Sequence, residues 1–275
     1  MTQYHSGYNA VHFPSDGRYM TEGTPFHYQG DNNPSVVVCF HGLTATPYET
    51  QLIGRACLDN GIDAVAPLLP CHGIADPEEA FRAMRQVSYR DWLEAARGEI
   101  EASLQRYEEV FVYGQSMGGA LALVMASEFP VRACAVTAPA LVLPLSVRAL
   151  TNLVGWMHFK IKKSSDLQKF FNPQYPFQHF RAVRQTALLA KLARRRLAKI
   201  DKPVFVAHSR NDPLIRPKAV ALIAQSGLGP TQIRWFDRSG HVLPLDVDKD
   251  EVARSIADFF ARDLQCASML TQATT

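Results

Sequence analysis

Gly114-Gln115-Ser116-Met117-Gly118-Gly119 holds a serine in the spacing Gly-x-Ser-x-Gly. The run Val110 to Tyr113 before it reads as a strand, and Ala120 to Ala126 after it reads as a helix. A serine on a sharp strand-to-helix turn is raised above the sheet, where its oxygen can attack a carbonyl. The flanking glycines suit a strained turn with a helix packed close on the strand. The bare pattern is weak, since roughly one chain of this length in ten would carry it by chance. The chemistry of the rest of the chain has to decide.

A serine hydroxyl needs a base to take its proton and an acid to orient that base. Asp212 follows the strand-like run Val204 to Ala207, and His241 follows Ile233 to Phe236. The order Ser, Asp, His fits this kind of sheet. All three lie beyond the carboxyl ends of parallel strands, where open α/β sheets carry their sites. Asp237 and Asp246 are rival acids, but only Asp212 follows the strand at Val204. Oxyanion stabilisation is the fourth requirement. The loop His41-Gly42-Leu43-Thr44 follows the strand Val36 to Phe40. The backbone N–H groups of Leu43 and Met117 would be the two donors. His41 and His72 read as loop hydrogen-bonders, and His208 as a residue behind Asp212. Cys71, at the same edge, is either a plain thiol or a reactive one.

These residues need a scaffold, and the pattern supplies one. Short apolar runs at 36–40, 64–66, 110–113, 133–137, 204–207 and 233–236 read as strands. Helix-like runs at 47–60, 91–107, 116–129 and 248–260 separate most of them. Such alternation predicts a mainly parallel sheet covered on both faces. Residues 8–28 could add one or two opening strands. The chain has 275 residues, enough for one large α/β domain. No apolar run approaches the roughly 18 residues of a membrane span, and no secretory signal is visible. Five widely spaced cysteines without a Cys-x-x-Cys pair suggest reduced thiols in a cytoplasm. No metal or cofactor is implied.

One segment breaks the rhythm. More than sixty residues separate Thr137 from Val204, far more than a plain crossover needs. This divides the chain into a core, 1–140 with 200–275, and an inserted cap, 141–199. From Ser146 to Lys199 the insert holds twelve Lys or Arg against one acid, Asp166. The insert therefore carries +11 and the remainder −8, inside an overall charge of +3. It also contains Trp156, Phe159, Phe170, Phe171, Tyr175, Phe177 and Phe180, which suggests an apolar acyl pocket. Its helix, 181–200, sets a basic face that would attract an anionic lipid surface or acidic substrates. No nucleic-acid-binding module is evident.

The four motifs, in order and at strand ends, resemble the α/β-hydrolase superfamily. Gln232 to Phe236, Ser239-Gly240-His241-Val242 and His41-Gly42-Leu43-Thr44 are similar to its bacterial carboxylesterase and monoacylglycerol-lipase branch. The resemblance spans roughly residues 34–262 and fades in the insert. It implies about eight core strands, with a helical cap after the sixth. It also implies hydrolysis of short or medium acyl esters or monoacylglycerols, with Ser116 as nucleophile, Asp212 as acid and His241 as base. Leu43 and Met117 would be the oxyanion donors. Thioesterases, acyltransferases and carbon–carbon bond hydrolases share that triad, and a non-catalytic binder could keep the scaffold. The chain departs from the pattern at Ala45 and at Leu69-Pro70-Cys71-His72-Gly73, where relatives often carry Gly for Ala45 and for Cys71.

Overall fold

The parity of residues along each strand organises the molecule. In the computed structural model, which describes residues 17–144, 157–163, 169–226 and 228–272, the strands of the central sheet send alternate residues to opposite faces. Val36, Val38, Val110, Val112, Val136 and Val206 join one hydrophobic core. Val37, Phe111, Tyr113, Ala135 and Phe205 join the other. Strands buried on both faces must be apolar throughout, which is why they read as short unbroken runs.

In chain order the strands are β1 (Phe26–Tyr28), β2 (Ser35–Phe40), β3 (Asp63–Ala66), β4 (Glu109–Gln115), β5 (Cys134–Thr137), β6 (Lys160–Lys162), β7 (Phe177–His179), β8 (Val204–Ser209) and β9 (Thr231–Phe236). The helices are α1 (Gln51–Leu58), α2 (Pro77–Met84), α3 (Tyr89–Leu104), α4 (Met117–Glu128), α5 (Phe180–Arg196), α6 (Lys218–Ser226) and α7 (Lys249–Gln272). The sheet runs β1-β3-β2-β4-β5-β8-β9 and is parallel except for β1, which pairs antiparallel with β3. All six strands expected from the pattern are present. Helices α1 and α7 pack on one face, and α3, α4 and α5 on the other.

The resemblance implied about eight core strands, and the mostly parallel sheet agrees with it. Among the described residues the sheet has seven strands, and the insert follows β5, the fifth in chain order. At the edge, β1 is only three residues long. Before it come a single bridge, Tyr19 with Ile74, and a 3₁₀ turn at Thr21–Gly23. Residues 8–16, the rest of the proposed opening strands, lie outside the described residues, as do Trp156 and Asp166. The pattern also passed over α2, α6 and the antiparallel hairpin β6–β7. The start of α2 was readable: Asp76 accepts the Glu79 N–H at 2.6 Å and Pro77 opens the helix.

Strand order fixes where a site can form. From β2 the chain turns to β3 on one side, then returns across β2 to β4 on the other. The loops after β2 and β4 therefore diverge at a topological switch point and leave a crevice between neighbouring strand ends. Phe40 and Gly114 sit opposite each other in that pair. Helix α4, buried for most of its length, runs from the crevice between the sheet and α5.

This crowding yields a stability test. A β-carbon on Gly118 would lie 2.0 Å from the Phe40 carbonyl oxygen, where backbone would have to move. Gly118→Ala should cost at least about 3 kcal/mol and lower the melting temperature or the soluble yield sharply. A normal thermal melt for that variant would contradict the packing described.

Candidate active site

Ser116 occupies the turn between β4 and α4 with φ 54° and ψ −111°. A non-glycine residue is held in such a conformation only when its surroundings over-determine it. They do so here. The Ser116 N–H donates to the Thr137 carbonyl at 2.9 Å, and its own carbonyl accepts the Ala140 N–H at 2.9 Å. Two glycines make the turn possible. A β-carbon on Gly114 would lie 2.1 Å from the Gly118 carbonyl oxygen, and Gly118 meets Phe40 as described.

The side chains of Ser116, His241 and Asp212 converge. His241 Nε2 lies 2.9 Å from Ser116 Oγ, and His241 Nδ1 lies 2.8 Å from Asp212 Oδ2. Asp212 Oδ1 accepts the N–H groups of Leu214 and Ile215 at 2.8 and 3.0 Å. His208 Nε2 donates to the Ile215 carbonyl at 3.0 Å, so it steadies the loop that grips Asp212. The rival acids are elsewhere: Asp237 pairs with Arg210, and Asp246 accepts the Gly240 N–H.

Electrostatics drives the two groups of the His241–Asp212 pair in opposite directions. Burial pushes the Asp212 carboxyl up, but the His241 charge and the bonds from His241, Ile215 and Leu214 outweigh it and hold the group below its usual value. Burial pulls the His241 imidazole down, yet Asp212 and then Glu49 overcome it, and the net shift is upward. A buried relay fixes the backbone of His241. Tyr113 hydroxyl lies 2.7 Å from Thr137 Oγ1, which donates to Gln115 Oε1, while Gln115 Nε2 donates to the His241 carbonyl at 2.9 Å.

Leu43 and Met117 border the same crevice. Met117 is the first residue of α4, so its N–H has no acceptor within the helix. Leu43 lines the cavity that contains Ser116. The loop around Leu43 is held from two directions. Buried Glu49 accepts the Gly42 N–H at 2.7 Å. Tyr175, from the insert, donates its backbone N–H to the Thr44 carbonyl at 3.0 Å. The Tyr175 hydroxyl donates to the Cys71 carbonyl at 2.8 Å and accepts the Ile74 N–H at 3.1 Å. Thr44 and Cys71 have φ of 65° and 66°, the left-handed region. One tyrosine therefore secures two strained residues, Thr44 beside Leu43 and Cys71.

The remaining sequence candidates have structural partners. His41 donates from Nδ1 to the Gly42 carbonyl at 2.9 Å and accepts the Leu69 N–H on Nε2 at 3.1 Å. Burial pulls it down to about 4, so it is neutral. His72 is buried, donates to the Pro70 carbonyl at 3.0 Å and stays well below the usual histidine value. Burial, with Asp91, raises the Cys71 thiol, which keeps it protonated and a weak nucleophile. Sequence reasoning missed Glu49, Gln115, Tyr175 and Lys163. None of the four left a period or a motif by which the sequence alone would have marked it.

The cavity measures about 320 Å³. Leu43, Ala140, Leu143, Phe180, Val183 and Leu214 give it an apolar wall, and Glu49, Lys163, Gln174 and Gln178 give it a polar one. Among the described residues, no helix is long and apolar enough to cross a membrane.

Comparison with known proteins gives a consistent result. Residues 37–255 match the model of the alpha/beta hydrolase family. The chain is 27% identical over 246 residues to a thermostable monoacylglycerol lipase of Bacillus sp. strain H-257, covering 86% of this chain and 94% of that one. It is 24% identical over 254 residues to a carboxylesterase of Bacillus subtilis strain 168, covering 86% and 96%. Among solved structures, one from a study of the metagenome-derived lipolytic enzymes LipS and LipT superposes with a TM-score of 0.78 at 24% identity, over 89% of this chain and 99% of that one. A soluble variant of monoglyceride lipase from Saccharomyces cerevisiae, in complex with a substrate analogue, gives 0.71 at 13% identity, over 87% and 90%.

The Tyr175 clamp can be measured directly. Tyr175→Phe orphans the Cys71 carbonyl and the Ile74 N–H and should cost about 1–3 kcal/mol. Adding Cys71→Gly should recover part of that loss, because glycine adopts a positive φ without strain. Denaturant midpoints of the single and double variants supply the comparison.

Proposed function

The chain belongs to the alpha/beta hydrolase family, and from that premise we propose that it cleaves carboxylic esters through an acyl-enzyme on Ser116. One observation carries the reading: the unbroken contact from Ser116 Oγ through His241 to Asp212, at 2.9 and 2.8 Å, on a serine held at positive φ. Relatives that are named a monoacylglycerol lipase and a carboxylesterase support it.

The chemistry follows from these groups. His241 Nε2 takes the hydroxyl proton as Ser116 Oγ bonds to the ester carbon. The N–H groups of Leu43 and Met117 stabilise the resulting oxyanion. The carbon–alcohol bond then breaks, and the alcohol leaves with the proton from Nε2. Water repeats the cycle: its proton passes to Nε2, its oxygen attacks the acyl carbon, and Ser116 recovers the proton. Asp212 holds the imidazole in the required tautomer and offsets its transient charge. The apolar wall suits short or medium acyl chains or monoacylglycerols. Residues 141–199 act as the cap over the acyl pocket. The exposed basic residues Lys191, Arg195 and Lys199 give that cap a face for an anionic lipid surface.

Three results are expected. Ser116→Ala should lower kcat by about 10⁴ or more and abolish labelling by a fluorophosphonate; retention of most p-nitrophenyl esterase activity would sink the assignment. As the base, His241 must be neutral, and its pKa lies above the ordinary value of about 6.5. Esterase kcat/KM should therefore fall as pH drops through a midpoint above about 6.5. At low salt the protein should co-sediment with anionic vesicles in preference to neutral ones.

A further inference from the structure

The hairpin β6–β7 turns a lysine inward where an apolar residue would cost less. Lys160 and Lys162 are exposed, as alternation along a surface strand requires. Ile161 and Lys163 share the other side and line the cavity that contains Ser116, together with Gln174 and Gln178. Lys163 is only 6% exposed. Burying an ammonium costs several kcal/mol unless a partner compensates it.

That compensation is incomplete within the protein. A lysine ammonium has three N–H donors, and Gln174 Oε1 takes one. Among the described residues Lys163 forms no ion pair within 4.0 Å. Glu49 acts on it through space, but the Glu49 oxygens already serve the Gly42 N–H and Asn172. His72 also faces this region and is held neutral by burial. Two of the three Lys163 donors are thus left without an acceptor among the described residues.

We propose that Lys163 is a specificity-determining residue that binds a carboxylate carried by the ester substrate. The inference rests on the ester-hydrolase reading and names a substrate class for it: monoesters with a free acid group on the acyl or the alcohol side. A carboxylate accepts hydrogen bonds only, so it can use the two remaining donors and supply the missing counter-charge. A hydroxyl would use the donors but leave the charge uncompensated. The +11 of the insert draws anions toward this side of the molecule. Burial pulls Lys163 down to about 7, against the pull of Glu49. A bound carboxylate favours the charged form, so its binding should weaken as pH rises above neutrality.

The test compares charged and neutral twins. On the acyl side these are the p-nitrophenyl monoester of adipic acid and the same ester of its monoamide. On the alcohol side they are the butyryl esters of glycolate and glycolamide. Taking kcat/KM ratios within a pair at one pH cancels the titration of His241 and any general loss of activity. In wild type at acid pH, one pair should favour the carboxylate by about tenfold or more, and the ratio should shrink at alkaline pH. Lys163→Met should bring that ratio close to one, while Lys163→Arg should preserve it; fluorophosphonate labelling of Ser116 checks that each variant is folded. Equal rates on both twins in wild type, or a preference that survives Lys163→Met, would overturn the subsite and leave the esterase reading intact. A preference for polyol esters that depends on Lys163 would also overturn it. If no ester in the panel is cleaved, both readings fall.

Discussion

Two backbones meet at the head of the β2–β4 crevice with no room for one carbon atom between them. The contact of Gly118 with the Phe40 carbonyl oxygen sets the distance from strand to helix. That distance forces the tight turn, and the turn forces Ser116 to positive φ. The strain is balanced by hydrogen bonds from Ser116 to the Thr137 carbonyl and from Ala140 to Ser116, on the next strand and its loop. The serine is thereby presented above the sheet by groups that take no part in chemistry. Bond making at Ser116 would need no rearrangement of the turn, because the strain is already met by the fold.

The same principle recurs around the serine. Asp212 is oriented by two backbone N–H groups, and His208 steadies the next peptide along through the Ile215 carbonyl. His241 is tied through its carbonyl to Gln115, the residue before the serine. The loop of Leu43 is held by Glu49 below and by Tyr175 from the insert. Apart from Glu49, these supporting groups are buried and uncharged, so they add rigidity without adding free charge to the pocket. Lys163 departs from that rule.

The sequence made the frame legible because strands buried on both faces have no freedom of composition. Six apolar runs marked six strands, and Asp212 and His241 followed directly from the ends of two of them. Shorter pieces escaped for a physical reason. Three-residue strands such as β1, β6 and β7 contain too few side chains to show a period, and their stability comes from tertiary pairing. Glu49 looks like a solvated acid at the start of a helix, and only the fold shows that it is buried under Gly42. Tyr175 is one of many aromatics in the insert. Its value depends on two left-handed residues, Thr44 and Cys71, that are distant from it in sequence. The glycine missing at Cys71 was visible, but the compensation for it was not.

The short strap from Asn172 to Tyr175 has a mechanical consequence. It is pinned to the rim of the serine crevice by Asn172 to Glu49, the Pro173 carbonyl to Thr46, and Tyr175 to Thr44 and Cys71. Lifting the insert along that edge would break the bonds that shape the Leu43 loop. The strap therefore works as a tether between the insert and that loop. Ile161 and Lys163 of the hairpin line the same cavity, and Lys163 donates to Gln174 within the strap. A change in the segment before α5 is therefore transmitted to the Leu43 loop and, through Gln174, to the lysine of the cavity wall.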